Sequence, residues 1–318
     1  MASPLKPFNH ERRELLRRGS ALSTLGLAAP WGLNLAALGE AAAQSAPSDY
    51  KALVCVFLYG GNDHGNTVIP YDAASYNAYA AIRQTLATPR DQLAATALTP
   101  RVALPGGLQM ALAPQLAPVK RLFDAGHAGV LLNVGPLVQP TTLSQYKAQS
   151  VPLPPKLFSH NDQQSVWQAS NPEGATTGWG GRLGDLFLAA NGQATFTCIN
   201  ATGNAVFMAG QQAAQYQVST SGAVSINGVV RPLFGSQACA DALRSLITAP
   251  RTHAMEQELN RVTARSISAQ TVVGSALASL PALKTAFDGA NSLALQLQLV
   301  ARLIGVRSSL GANRQVFL

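Results

Sequence analysis

An α/β fold built on a mostly parallel sheet is what this sequence predicts, on three observations. Two apolar runs, 52–59 and 129–135, each finish at glycine, as strands buried on both faces of a parallel sheet do. The residues between them include helical patterns, so the order strand, helix, strand suits a βαβ crossover. Helical patterning then dominates 241–280 and 291–304, and another apolar strand begins near Asn313.

The first forty-odd residues are set aside as a targeting segment. Arg12 and Arg13 form a twin-arginine pair followed by apolar residues, and 20–38 carry no charge. Ala41, Ala42 and Ala43 supply the small residues of a cleavage site, with cleavage expected before Gln44. A membrane anchor is the competing reading, since the uncharged stretch approaches spanning length. Gly26, Pro30, Gly32 and Asn34 weaken that span, and the small-residue site follows at once. The expectation is therefore export by the twin-arginine translocase to a periplasmic or secreted location. That route carries folded proteins, so a metal or cofactor can be loaded beforehand.

Removing residues 1–43 from the 318 leaves 275, enough for one large α/β domain or two smaller ones. Residues 44–318 are read here as one such domain. The chain is 47% hydrophobic and only 12% charged, which excludes a disordered protein. Its formal charge is +8, of which the leader holds +2, and the basic residues are scattered. Neither a basic stripe nor a nucleic-acid-binding motif is present, so no nucleic-acid partner is expected. Cys55, Cys198 and Cys239 include no CxxC and no zinc spacing; a Cys198–Cys239 disulfide stays open.

Along the chain, helices are predicted over 71–86, ended by Pro89, and over 115–125, stopped by Gly126. A Pro- and Gln-rich loop covers 137–156. Ser159 then stands as N-cap of a helix with Asp162 in its first turn, where an acid is favoured. Another helix opens at 177–183, and 195–200 is a strand candidate. Residues 203–237 read as a small sheet or hairpin excursion at the surface. The final residues, 313–318, read as a strand that stops midway, from which a chain truncated at its C-terminal end is expected.

The loop after the first strand holds the first candidates. Ligands of open α/β sheets bind beyond the carboxyl ends of strands, which is where Asn62, Asp63 and His64 fall. Gly60 and Gly61 let the backbone turn sharply there. The bland alternative is a polar turn in which Asp63 caps the next segment. Dinucleotide and nucleotide-triphosphate readings fail, because the glycines do not form G-x-G-x-x-G and no Walker lysine is present. Ser159 lacks a G-x-S-x-G setting, so no Ser-His-Asp triad is argued.

The ensemble of motifs carries a resemblance. A twin-arginine leader, Phe57-Leu58-Tyr59-Gly60-Gly61-Asn62-Asp63 leading to Val68-Ile69-Pro70-Tyr71, Phe158-Ser159-His160 with Trp167, and Gly178-Trp179 with Arg182 resemble the bacterial exported family known as domain of unknown function 1501. Residues 293–304 and 314–318 resemble the segment preceding that family's Gly-x-Asp-Thr-His motif. The resemblance spans almost the whole chain after the leader. It implies the α/β/α sandwich of alkaline phosphatases and sulfatases, with helical and small β insertions and a pair of divalent metals (zinc, manganese, calcium or magnesium).

Asp63 occupies the place of a metal ligand at the first strand's end, and Ser159 that of a nucleophile at a helix N-terminus. By the same resemblance His160 is a metal or anion ligand, and Arg182 and Asn62 are anion-binding. Helix N–H groups attract an anionic ester, and a metal lowers a hydroxyl pKa. The implied activity is hydrolysis of a small phosphate or sulfate ester; the alternative is a non-catalytic envelope protein binding a surface component. Further metal ligands are expected beyond Leu318, and His64 departs from the small residue the family pattern calls for. Three roles stay open at this point: Ser159 as plain N-cap, His160 as a structural histidine, and Arg182 paired with Asp185 one turn on.

Overall fold

A computed structural model describes residues 49–58, 60–171 and 173–318. The proposed leader, with Arg12, Arg13 and Ala43, lies outside the described residues. Among those described, no helix is long and apolar enough to cross a membrane. The chain is mixed α/β with a mostly parallel central sheet, and it divides into two compact units, 58–135 and the remainder.

The larger unit holds the main sheet. Its strands are β1 (Lys51–Val54), β4 (Cys198–Asn200), β5 (Gln215–Ser219), β6 (Gly222–Ala223) and β7 (Arg314–Phe317), in the order β1-β7-β4-β5-β6. All neighbours run parallel except β5 and β6, which form a hairpin. β7 sits between β1 and β4, with Leu53 beside Val316 and Ile199 beside Phe317. Since successive side chains of a strand point to opposite faces, Val316 and Phe317 enter different cores.

Phe317 packs with Phe196, Ile199 and Val218 against Val273 and Leu277 of helix α8 (Ala254–Ser279) and Leu299 and Leu303 of α9 (Ser292–Gly305). Val316 packs with Cys198, Phe207 and Met208 against Leu183 of α5 (Trp179–Phe187). Helices thus cover both faces of the sheet. Polar groups on β7 are partnered despite burial. Gln315, 1% exposed, accepts from the Tyr50 hydroxyl at 2.7 Å and donates to Phe196 O at 2.9 Å. Asn191 clamps the start of β7: its Oδ1 accepts from Asn313 N and Arg314 N, and its Nδ2 donates to Thr197 Oγ1 and Arg314 O.

Three sequence expectations are corrected here. The run 52–59 is not buried on both faces: β1 is the sheet's edge, it ends at Val54, and Val56 and Leu58 are exposed. The strands buried on both faces are β4 and β7, all of whose residues are buried. Residues 129–135 form no strand, and Leu131 is 83% exposed, so the expected crossover is not made. An apolar run is necessary for a buried strand but does not choose its neighbour. Finally, β5 is a main-sheet strand with Val218 in the core, rather than a surface excursion.

The smaller unit pairs β2 (Val68–Pro70) with β3 (Met110–Leu112) antiparallel. Helix α1 (Ala73–Arg83) covers them, started by Asp72, whose carboxylate accepts from Ser75 N at 2.9 Å. Ile69, Tyr79, Leu93 and Ala111 form its core. Helix α2 (Ala117–Asp124) ends before Gly126 at φ +75°, as its glycine predicts.

Glycine placement sets how closely α5 approaches its neighbours. A Cβ on Gly181 would stand 2.1 Å from the carbonyl carbon of Ala209, and one on Gly178 2.2 Å from Val206 O. Gly60, in contrast, faces open space. Gly181→Ala is therefore expected to destabilise the protein by about 3 kcal/mol, because backbone has to move, while Gly60→Ala leaves stability nearly unchanged. Urea titration of the two variants measures the difference.

Candidate functional site

Helix α4 (His160–Ala169) begins after an unusual bend. Lys156 and Phe158 both adopt left-handed backbone, at φ 50° and 67°, conformations that cost non-glycine residues energy and that cluster at working sites. Ser159 N donates to Lys156 O at 3.1 Å, closing the turn. Ser159 stands at the N-cap position, yet its hydroxyl caps no backbone N–H. It donates instead to Oδ2 of Asp162 at 2.6 Å. Asp162 sits three residues on, at the position a capping box reserves for an acid or amide. The pattern Ser-x-x-Asp was readable in the sequence; the hydroxyl-to-carboxylate bond was not.

Asp162 is the best-connected acid of this cluster. It is 4% exposed, and Oδ1 accepts from Glu173 N at 3.1 Å and meets Lys156 Nζ at 3.2 Å. The Ser159 hydroxyl bond lowers its pKa below the usual aspartate value, against the opposing effect of desolvation, with Glu173 N and Lys156 adding to the lowering. Lys156 is largely exposed, so its attraction is screened by solvent. His160, next in sequence to Ser159, is exposed on the first turn.

Arg182 is half-buried and held by backbone. Its guanidinium donates to Thr177 O at 3.3 Å, Thr177 Oγ1 at 3.4 Å and Ala169 O at 3.3 Å. It thereby satisfies a carbonyl at the end of α4, where a cation is favoured. Burial lowers its pKa, and Asp185 opposes that. No ion pair joins Arg182 to Asp185 among the described residues. Asp185 accepts from three successive backbone N–H groups, Gln211, Gln212 and Ala213. Trp179 Nε1 donates to Trp167 O at 3.1 Å and its ring meets Phe207 edge-on at 4.3 Å, so Trp179 joins α5 to α4, while Trp167 itself is 42% exposed.

In the smaller unit, Asp63 precedes a short 3₁₀ turn, His64–Asn66. Its Oδ2 accepts from Arg83 and, at 2.9 Å, from Asn66 Nδ2; Asn66 in turn accepts from the Tyr79 hydroxyl, which takes Thr88 N at 2.8 Å. Sequence reading missed Arg83, Asn66 and Tyr79: Asn66 meets Asp63 within the turn itself, whereas Arg83 reaches Asp63 and Tyr79 reaches Asn66 only once α1 folds back. Nε of Arg83 is buried and has no partner among the described residues. Asn62 Oδ1 accepts weakly from Thr67 at 3.4 Å, and Asn62 and His64 are exposed. Gly61 turns the chain at φ +68°.

The donor set for an implied metal can be tested on these contacts. Among the described residues, no three His, Cys, Asp or Glu side chains gather as a cation site. Both oxygens of Asp162 are engaged, and Asp63 is shared by Arg83 and Asn66. Those residues do not by themselves fit a divalent metal. The three cysteines are free thiols: Cys198 is buried, Cys55 half-buried and Cys239 exposed. Burial pushes the Cys198 thiol up to about 12, so it behaves as a small hydrophobe. A recess of about 440 Å³ beside Arg244, Thr248, Ser268 and Thr271 contains none of the candidate residues.

Compared with known proteins, the chain matches no family model, no curated protein and no solved structure.

The depressed pKa of Asp162 has a pH consequence. A carboxyl whose folded pKa lies below its unfolded value, about 3.9, stabilises the fold above that value and loses the contribution as pH falls through the folded one. Asp49 and Asp72 are lowered as well, so the comparison must isolate one group. The difference in urea midpoint between wild type and Asp162→Asn is expected to be constant near neutrality and to shrink toward zero in acid. A difference independent of pH would contradict the assignment.

Proposed function

We propose that this chain is an exported α/β hydrolase of alkaline-phosphatase-like type that acts on a small phosphate or sulfate ester, with Ser159 as nucleophile. The observation that carries the reading is the Ser159–Asp162 hydrogen bond at the start of α4, reached through two left-handed residues. The carboxylate takes the hydroxyl proton as its hydrogen-bond partner and leaves the oxygen lone pairs directed elsewhere. The lowered pKa keeps Asp162 charged, so its role is to orient Oγ. An incoming ester anion is attracted by the N–H groups of the first turn, which the Ser159 side chain does not cap. Lys156 offsets part of the negative charge of Asp162.

In this reading Oγ of Ser159 forms a bond to phosphorus or sulfur as its O–H bond breaks and the proton passes to water, while the ester oxygen departs with its electron pair and takes a proton back from that water. Water then cleaves the seryl ester, restoring the hydroxyl. A divalent metal, where bound, would supply Lewis-acid activation; by resemblance to domain of unknown function 1501, Asp63 in the smaller unit and His160 in the larger are each assigned as a metal ligand. No step here is derived through it. Twin-arginine export and a periplasmic or secreted location belong to the same proposal.

A second reading is favoured by specific contacts. Arg182 is engaged with Thr177 and Ala169, and Asp63 with Arg83, so two residues assigned to anion and metal make structural bonds instead. That suits a non-catalytic envelope protein binding a surface component.

Two measurements separate the readings. Ser159→Ala is expected to lower turnover of aryl phosphate or sulfate esters by about a thousandfold or more while the protein stays folded; unchanged turnover removes Ser159 from the chemistry. Elemental mass spectrometry on the exported protein checks the metal that the described residues do not by themselves hold: near-stoichiometric divalent metal that falls in Asp63→Ala supports the hydrolase reading. A folded, metal-free protein with no esterolytic activity supports the binding reading.

A further inference from the structure

Helix α8 divides lengthwise into a buried and an unpartnered part. Ile267, Ala269, Val273, Ala276 and Leu277 enter the main core. Toward its start, the inward side is held by Asn260, which is 8% exposed and donates to Ala249 O at 2.7 Å and Leu246 O at 3.3 Å, at the end of α7 (Gln237–Thr248). On the opposite side, Met255, Leu259 and Val262 are 75%, 65% and 48% exposed. Their spacing of four and then three residues places them on one stripe. The stripe continues to exposed Ser266, which completes two cycles of alternating d and a positions.

Charges flank this stripe in a definite order. Glu258 and Arg265 fall one heptad apart on the same shoulder, and both are about half exposed. Within the helix, Glu258 pairs with Arg261 at 2.7 Å and lies 3.8 Å from Arg265. If a second α8 lies antiparallel along the stripe, this shoulder faces itself in reverse, and each Glu258 comes opposite the partner's Arg265. A parallel arrangement would set Glu258 opposite Thr263 and gain no ion pair. A membrane surface would draw on Arg261 and Arg265 but would repel Glu256 and Glu258. The pattern is self-complementary in one orientation only.

We propose that the exposed stripe Met255–Leu259–Val262 is a homodimer surface, occupied by the same helix of a second copy in antiparallel orientation. The inference is independent of the proposed chemistry at Ser159. Two turns of apolar contact make a small interface, below the roughly 1,200 Å² of a standard complex, so the association is concentration-dependent. Two ion pairs related by the two-fold axis fix its direction.

Sedimentation velocity on the exported protein across the micromolar range tests this, with helicity followed by circular dichroism. A reversible monomer–dimer equilibrium is expected, and Leu259→Lys should leave only monomer without loss of helix. Glu258→Arg and Arg265→Glu should each weaken the dimer by about tenfold or more, and the double exchange should restore most of it. A protein that stays monomeric throughout the range overturns the proposal, as does a dimer indifferent to Leu259→Lys. So does a monomer whose Leu259 is needed for binding phosphatidylglycerol vesicles, which would assign the stripe to a lipid surface.

Discussion

The insertion of β7 between β1 and β4 is the constraint on which the larger unit depends. A parallel strand in the middle of a sheet bonds on both edges and is buried on both faces, so its four residues tie together everything around them. Val316 and Phe317, adjacent in sequence, belong to separate cores on the two sides of the sheet. The strand begins at a polar clamp, where one carboxamide, Asn191, serves two donors and two acceptors. Such a clamp holds the register that places each apolar side chain on its proper side.

From that sheet the candidate site follows by a chain of contacts. α5 lies close because its glycines admit the backbone of 206–210, and Asp185 holds that loop by three N–H groups. Trp179 and Arg182, on α5, then bond the carbonyls of Trp167 and Ala169 near the end of α4. The start of α4 carries Ser159, held by Asp162. The residues that make the Gly-Trp-Gly-Gly-Arg motif distinctive are therefore explained by packing and helix termination. The hydroxyl at the other end of α4 takes its geometry from Asp162.

Elements whose signals are local were legible. The helices read over 71–86, 115–125 and 291–304 lie close to α1, α2 and α9, and Asp72 and Asn291 start the first and last of these by accepting from backbone N–H groups. The N-cap position of Ser159 was likewise readable, because Ser followed three residues later by Asp needs only a helix to be brought together. What escaped were contacts that depend on distant neighbours. Arg83 meets Asp63 across 20 residues, and Arg182 turns from its expected partner one helical turn away to the carbonyl of Ala169, 13 residues earlier. Charge pairing on a helix is weak, at a few tenths of a kcal/mol, and an unsatisfied helix-end carbonyl nearby competes with it.

The sequence by itself determined the mixed α/β class, the helix over 291–304 and the turn at Gly60 and Gly61, because each rests on periodicity or on the backbone freedom of glycine. The single helical pattern read over 241–280 is in fact two helices, α7 and α8, parted at 249–253. Tertiary structure decided which run becomes an interior strand. The run 52–59 is apolar throughout and 314–318 opens with Arg314 and Gln315, yet the first supplies an edge and the second a buried interior strand. Hydrophobicity reports the free energy gained on burial but not the partner that provides it. Only the assembled sheet, with helices on both faces, ranks the strands by the number of neighbours each can have.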